Sequence, residues 1–115
     1  MKALSMRVAN VVPNSAEVSD FFDSLGLARK EMPEEADNFE GSIHLIGDSW
    51  LETWQSGEQM PAGIMLQIVV DDADACAEQA RSRGLEPSGP MDAHGERIYV
   101  LTAPGGLNIS FQSAL

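Results

Sequence analysis

Leu4 to Val12 is a mostly apolar run that alternates with polar residues as far as Val8, and apolar positions then recur at Val18, Phe21, Phe22 and Leu25. This change from a two-residue to a three-to-four-residue period predicts a strand followed by a helix. Asn14 or Ser15 can cap the helix and Gly26 ends it. Leu27 to Met32 reads as a short strand, and Ser42 to Ile46 with Trp50 to Gln55 reads as a hairpin around Gly47-Asp48-Ser49. The second half follows the same plan. Ile64 to Val70 is a strand, Asp72 to Arg83 a helix with Asp72 or Asp74 near its start, and Leu85 to Ser88 a strand. Arg97 to Thr102 and Leu107 to Gln112 close the chain as a hairpin through Ala103-Pro104-Gly105-Gly106.

The likeness of the halves extends to residues. Val11-Val12 recurs as Val69-Val70 and Gly26-Leu27 as Gly84-Leu85, both displaced by 58 positions. A helix with a few strands cannot bury its own apolar face, whereas two copies can share a core and leave a cleft between them. A chain of 115 residues is too short for two independent domains, so the copies are expected to be halves of one. Module 1 spans about 1–56, a linker containing Gly57 and Pro61 about 57–62, and module 2 about 63–115. The expected fold is α+β: two βαβββ modules forming a cupped mixed sheet, with the helices on the outside.

Charge narrows the partners. Seven Lys and Arg against 18 Asp and Glu give a net charge of -11, a field that repels phosphate backbones and anionic lipid. Nucleic-acid and membrane roles are therefore not expected. The stretch Glu31, Glu34, Glu35, Asp37 and Glu40 lacks periodicity and contains Pro33, so it reads as a mobile loop, a solvated rim or a lid. Met1 to Met6 has a single Lys and no long apolar run, and the expectation is a cytoplasmic protein. The lone Cys76, on the Ala73, Cys76, Ala77, Ala80 face of the second helix, reads as a buried structural thiol.

Strand alternation selects candidate site residues. Arg7, Ala9 and Val11 share one face of the first strand, with Val8 and Val12 on the other; Asn10 then falls on the packed side without an evident reason. In module 2, Met65, Gln67 and Val69 face the cleft, together with Asn108, Ser110 and Gln112, while Ile109 and Phe111 pack. The first hairpin admits two registers. A three-residue loop pairs Ile46 with Trp50 and sets His44 opposite Glu52, so that His44, Trp50, Glu52 and Trp54 face the cleft while Ile43, Leu45, Leu51 and Thr53 pack. A two-residue loop buries Trp50 and Trp54 and exposes Thr53, a reading favoured by the alignment of Trp54-Gln55 with Phe111-Gln112. The first is the working register.

The two-copy plan, the segment Phe21-Phe22-Asp23-Ser24-Leu25-Gly26-Leu27, the segment Val69-Val70-Asp71-Asp72-Ala73-Asp74-Ala75 and the ending Ala103-Pro104-Gly105-Gly106-Leu107-Asn108-Ile109-Ser110-Phe111 resemble the vicinal oxygen chelate superfamily. That group contains glyoxalase I, extradiol dioxygenases and bleomycin-resistance proteins. The resemblance implies a homodimer, and it implies where a metal would sit, since the metal enzymes place His, Glu, His and Glu on the first, fourth, fifth and eighth strands. Those positions are Arg7, Glu52, Met65 and Ser110 here, and only Glu52 can be a ligand. His44 is a substitute candidate beside Glu52, weighed against an ordinary hydrogen-bonded or rim histidine; His94 reads as a solvent-facing loop residue. Arg7 can pair with Glu52, clamp a ligand carboxylate, or simply face solvent.

Two functions follow. The first is a metal-free binding protein of the bleomycin-resistance type, without a cofactor, sequestering a small aromatic or cationic compound. Arg7, Glu52 and Met65 line its site, Trp50 and Trp54 stack on the ligand, and Gln67, Asn108, Ser110 and Gln112 hydrogen-bond it. The second is a divergent glyoxalase-like lyase or isomerase, or a dioxygenase, using Glu52 and His44 with or without a divalent metal. Pro104-Gly105-Gly106 precedes a strand rather than a helix, so it reads as a hairpin turn and not as a phosphate loop. Asn108-Ile109-Ser110 fits a glycosylation pattern but lies in an expected strand and is discounted. The chain contains no G-x-S-x-G and no H-E-x-x-H.

Overall fold

The computed structural model describes residues 1–32 and 40–115, so Glu34, Glu35 and Asp37 of the acidic stretch lie outside the described residues. The elements run β1 (Ala3–Val12), α1 (Ser15–Leu25), β2 (Gly41–Ile46), β3 (Ser49–Gln55), β4 (Gly63–Val70), α2 (Ala73–Ser82), β5 (Ser88–Ala93), β6 (Glu96–Thr102) and β7 (Asn108–Ala114). Pairing is mixed: β1 with β3 and β4 with β7 are parallel, while β2 with β3, β5 with β6 and β6 with β7 are antiparallel. This is the α+β arrangement expected. The chain divides into two compact units, Arg7–Ile64 by itself and Met1–Met6 together with Met65–Leu115.

The repeat persists at the level of strand register. Arg7 lies opposite Trp50 and Ala9 opposite Glu52 in the first unit. Met65 lies opposite Asn108 and Gln67 opposite Ser110 in the second, and each of these pairs is a first-unit pair moved by 58 positions. Hydrogen-bonded partners, and therefore the faces on which side chains fall, are copied along with the residues.

The two helices pack by different chemistry. In α2, Asp72 caps the first turn by accepting from the Ala75 N–H at 3.1 Å, and Ala73, Cys76 and Ala77 are buried against Val70, Tyr99 and Phe111. The Tyr99 and Phe111 rings stack with centroids 5.3 Å apart. This is an apolar interface, and burial pushes the Cys76 thiol upward from its ordinary range.

The apolar stripe expected for α1 is corrected. Phe21 and Leu25 are 62% and 64% exposed, and the buried positions of the helix are Ser15 and Ser19. The strands beneath explain this, because they offer polar partners. Ser19 Oγ lies 2.7 Å from Ser42 Oγ, and Ser15 donates through both its N–H and its hydroxyl to Gln55 Oε1. Small hydroxyls let helix and strands approach closely and satisfy one another. Gly26, at φ 101°, ends α1 with its N–H bonded to Asp23 O, and the next N–H, of Leu27, bonds to Phe22 O.

Two further expectations change. The strand expected at Leu27 to Met32 contracts to a single bridge between Arg29 and His44, flanked by the Lys30 N–H to Ile43 O and Leu45 N–H to Ala28 O bonds. The strand expected at Leu85 to Ser88 instead begins at Ser88, after Pro87, which has no N–H to contribute to a ladder.

Candidate functional site

The first hairpin closes through two residues, Gly47 and Asp48, because Ile46 pairs with Ser49 and Gly47 takes the left-handed conformation (φ 59°). The three-residue loop is thus corrected. His44 lies opposite Leu51, not Glu52. It is fully buried on the α1 side, with Nε2 2.9 Å from Asp23 Oδ1 and its ring 5.7 Å from that of Phe22. Ile43 and Leu45 accordingly share the other face with Glu52 and Trp50, their direct partners. The two-residue loop does not, however, send the tryptophans under the helix. Thr53 is fully buried opposite Ser42, which holds β3 with Trp50, Glu52 and Trp54 turned away from α1. Only β2 is reversed from its expected facing.

On that second face the structure brings Arg7, Trp50, Glu52 and Trp54 together. Trp50 donates its indole N–H to Glu52 Oε2 at 2.8 Å, and Trp54 donates to Glu52 Oε1 at 2.9 Å. One carboxylate therefore clasps two indoles that lie two residues before and after it on the same strand, a geometry the alternation of side chains makes available. The Arg7 guanidinium carbon lies 4.0 Å from the centroid of the Trp50 ring and Lys30 Nζ lies 3.9 Å from it. Gly41 completes the wall. A Cβ there would collide with the Thr53 carbonyl and the Trp54 ring, so its absence is what lets that indole lie across β2.

Lys30 was missed by the sequence reading. Its signal was available in strand alternation: Arg29 points toward α1, bonding Asp23 at 2.9 and 2.8 Å, so its neighbour Lys30 points to the opposite face.

The remaining candidates form a second group, within the unit Met1–Met6 with Met65–Leu115. Ser110 and Gln112 are buried, and the Ser110 hydroxyl donates to Gln112 Oε1 at 2.7 Å. Gln112 Nε2 reaches Gln67 Oε1 only at 3.4 Å. Much of the hydrogen-bonding capacity assigned to a ligand is therefore spent between these side chains. Met65 and Asn108 line a cavity of about 630 Å³ with Leu85, Val100, Leu101 and Ile109, a volume suited to a small molecule. His94 lies in the turn between β5 and β6 at φ 53° and is exposed.

A divalent ion does not fit the positions that hold one in the vicinal oxygen chelate enzymes. Both Glu52 oxygens receive indole N–H donors, Arg7 brings a positive charge to the first-strand position, and His44 is on the other side of β2. Among the described residues no group of three or more His, Cys, Asp and Glu is placed to hold a metal. The pairing of His44 with Glu52 that an enzymatic site required does not form.

No protein-family profile matches the sequence, and no curated protein matches it significantly. Solved structures do match. A glyoxalase/bleomycin resistance protein/dioxygenase superfamily member from Vibrio splendidus 12B01 is similar at a TM-score of 0.70 and 13% identity, over 97% of this chain and 99% of that one. The hypothetical protein BH1468 from Bacillus halodurans C-125 gives 0.72 and 19%, over 95% and 92%. Methylmalonyl-CoA epimerase from Mycobacterium tuberculosis gives 0.68 and 15%, over 99% and 88%. At these identities the likeness establishes the fold, which is that of the vicinal oxygen chelate proteins. Among the described residues no helix is long and apolar enough to cross a membrane.

Proposed function

We propose that this chain is a metal-free small-molecule binding protein of the glyoxalase/bleomycin-resistance type, with Arg7, Trp50, Glu52 and Trp54 as its recognition wall. The observation that carries the reading is the use made of Glu52. At the position where a metal enzyme aims a carboxylate at its ion, this carboxylate holds two indole rings at 2.8 and 2.9 Å. Rings fixed in this way lose little freedom when a planar compound stacks on them, so their contact area converts efficiently into affinity. The solved neighbours support the superfamily, and the binding role is our reading of the site within it.

Exhaustive dialysis followed by elemental analysis tests the metal-free part: less than stoichiometric Zn, Ni, Fe and Mn is expected. Titration with planar aromatic compounds should quench tryptophan fluorescence. About one metal per chain, lost on Glu52→Gln, overturns the proposal and revives an enzymatic one. Light scattering on the same sample tests the homodimer that the family resemblance implies.

A further inference from the structure

We propose that the cavity lined by Met65 and Asn108 holds an aliphatic amine, its alkyl chain against Met65, Leu85 and Val100 and its ammonium group on Glu86. This site shares no residue with the Trp50 wall and goes beyond the function proposed for it. Its place follows from strand register. β4 and β7 run parallel with Met65 opposite Asn108, and β6 ends beside them with Thr102 opposite Asn108. Val100 lies opposite Ser110, and Ser88 at the start of β5 lies opposite Val100. Cross-strand partners, and residues two apart on a strand, point the same way, so Met65, Ser88, Val100, Thr102 and Asn108 share the face opposite to Phe111. All five line the cavity of about 630 Å³.

Leu85 and Glu86, in the connection between α2 and β5, add the two features that choose a ligand. Leu85 is apolar yet 52% exposed, and Glu86 is the only charged residue in the lining among the described residues. Glu86 makes no ion pair among the described residues. The apolar side chains of the lining are all aliphatic, so no ring is present for a planar compound to stack on. A thioether and branched alkyl groups accommodate a flexible alkyl chain instead. The net charge of -11 draws cations to the chain, and a carboxylate beside an apolar lining favours a cation with an alkyl tail over a bare ion. A fatty carboxylate of the same length would set its own charge against Glu86.

Three probes with one alkyl chain and different charge test the site: octylammonium, octan-1-ol and octanoate, titrated into the full 15N-labelled chain with backbone amide shifts as the readout. Octylammonium should move the amides of Leu85, Val100, Thr102 and Asn108 and bind about fivefold more tightly than octan-1-ol, the upper end for an exposed ion pair, with octanoate weakest. Glu86→Gln should bring octylammonium to the level of octan-1-ol. Glu78→Gln removes an equal charge from an exposed position of α2 that does not line the cavity, and should leave the preference intact. Leu85→Ala, at a half-exposed position that tolerates truncation, should weaken octylammonium and octan-1-ol alike. Equal loss in Glu78→Gln and Glu86→Gln would show attraction to the overall charge alone and overturns the proposal. So does octan-1-ol or octanoate binding as tightly as octylammonium, or amide shifts that leave these four residues unmoved at millimolar concentration. None of these outcomes bears on the Trp50 wall, whose test is tryptophan quenching by planar compounds.

Discussion

His44 donates its Nε2 hydrogen to the Asp23 carboxylate over 2.9 Å, on the α1 side of β2 where the hairpin register places it. The donor assignment follows from the acceptor. Arg29 grips Asp23 through two bonds and His44 through a third, and these hold its carboxyl down at about 2, so it is ionised and can only accept. His44 Nδ1 and Thr53 Oγ1 remain buried without partners among the described residues. A polar layer of Ser19, Ser42, His44 and Thr53, latched at its rim by Asp23, therefore does under α1 what Val70, Tyr99 and Phe111 do under α2.

The latch gives an acid-dependent contribution to stability. Because the Asp23 carboxyl is lowered from 3.8 to about 2 on folding, its stabilisation is fully present above pH 3.8 and is lost as pH falls through about 2. Thermal melts of the natural chain and Asp23→Asn should differ near neutrality and converge at the acid end of that window. Parallel curves across it would mean that the latch contributes nothing.

Gly41 makes a steric prediction. Gly41→Val should cost roughly 1–3 kcal/mol, the usual range for forcing bulk into a filled space, and should displace Trp54 with a shift in tryptophan emission. Gly57→Ala, where an added Cβ meets nothing within 4 Å, is the control and should leave both unchanged.

Much of this architecture was legible in the sequence, for identifiable reasons. The 58-residue displacement carried the β1–β3 register onto β4–β7 because those strands lie in matching, ungapped stretches. It failed for β2, since the hairpin loops differ: two residues separate Ile46 from Ser49, whereas five separate Thr102 from Asn108. One residue of loop length turns every side chain of a strand over, which is how His44 left the expected site while Glu52 stayed. The burial of Ser15 and Ser19 in place of Phe21 and Leu25 was hidden for another reason. Hydrophobic spacing registers apolar faces, and this interface is polar.

Glu52→Gln distinguishes a clasp from a mere neighbour. The amide keeps one acceptor oxygen but presents an NH2 group to the other indole N–H, so one of the two bonds is lost and replaced by two facing donors. A destabilisation of about 1–3 kcal/mol is expected, the range for leaving a partly buried donor unsatisfied. The near-ultraviolet circular dichroism of the tryptophans should weaken at the same time. Unchanged stability and spectrum would show that the two indoles hold their places without the carboxylate.

His44→Ala separates the two faces of β2. The histidine is fully buried, so its removal should leave a cavity and cost about 2–4 kcal/mol, within the range for large-to-small changes in cores. Asp23 keeps its two bonds to Arg29, and the backbone bonds from Lys30 N–H to Ile43 O and from Leu45 N–H to Ala28 O do not involve the deleted ring. Lys30 and Trp50 should therefore stay where they are, on the side turned away from α1. Quenching of tryptophan fluorescence by planar aromatic compounds, measured on the folded variant, should match that of the natural chain even though the melting temperature falls. A folded His44→Ala protein that no longer binds would place the histidine in contact with the ligand, and the α1-side position would then be wrong.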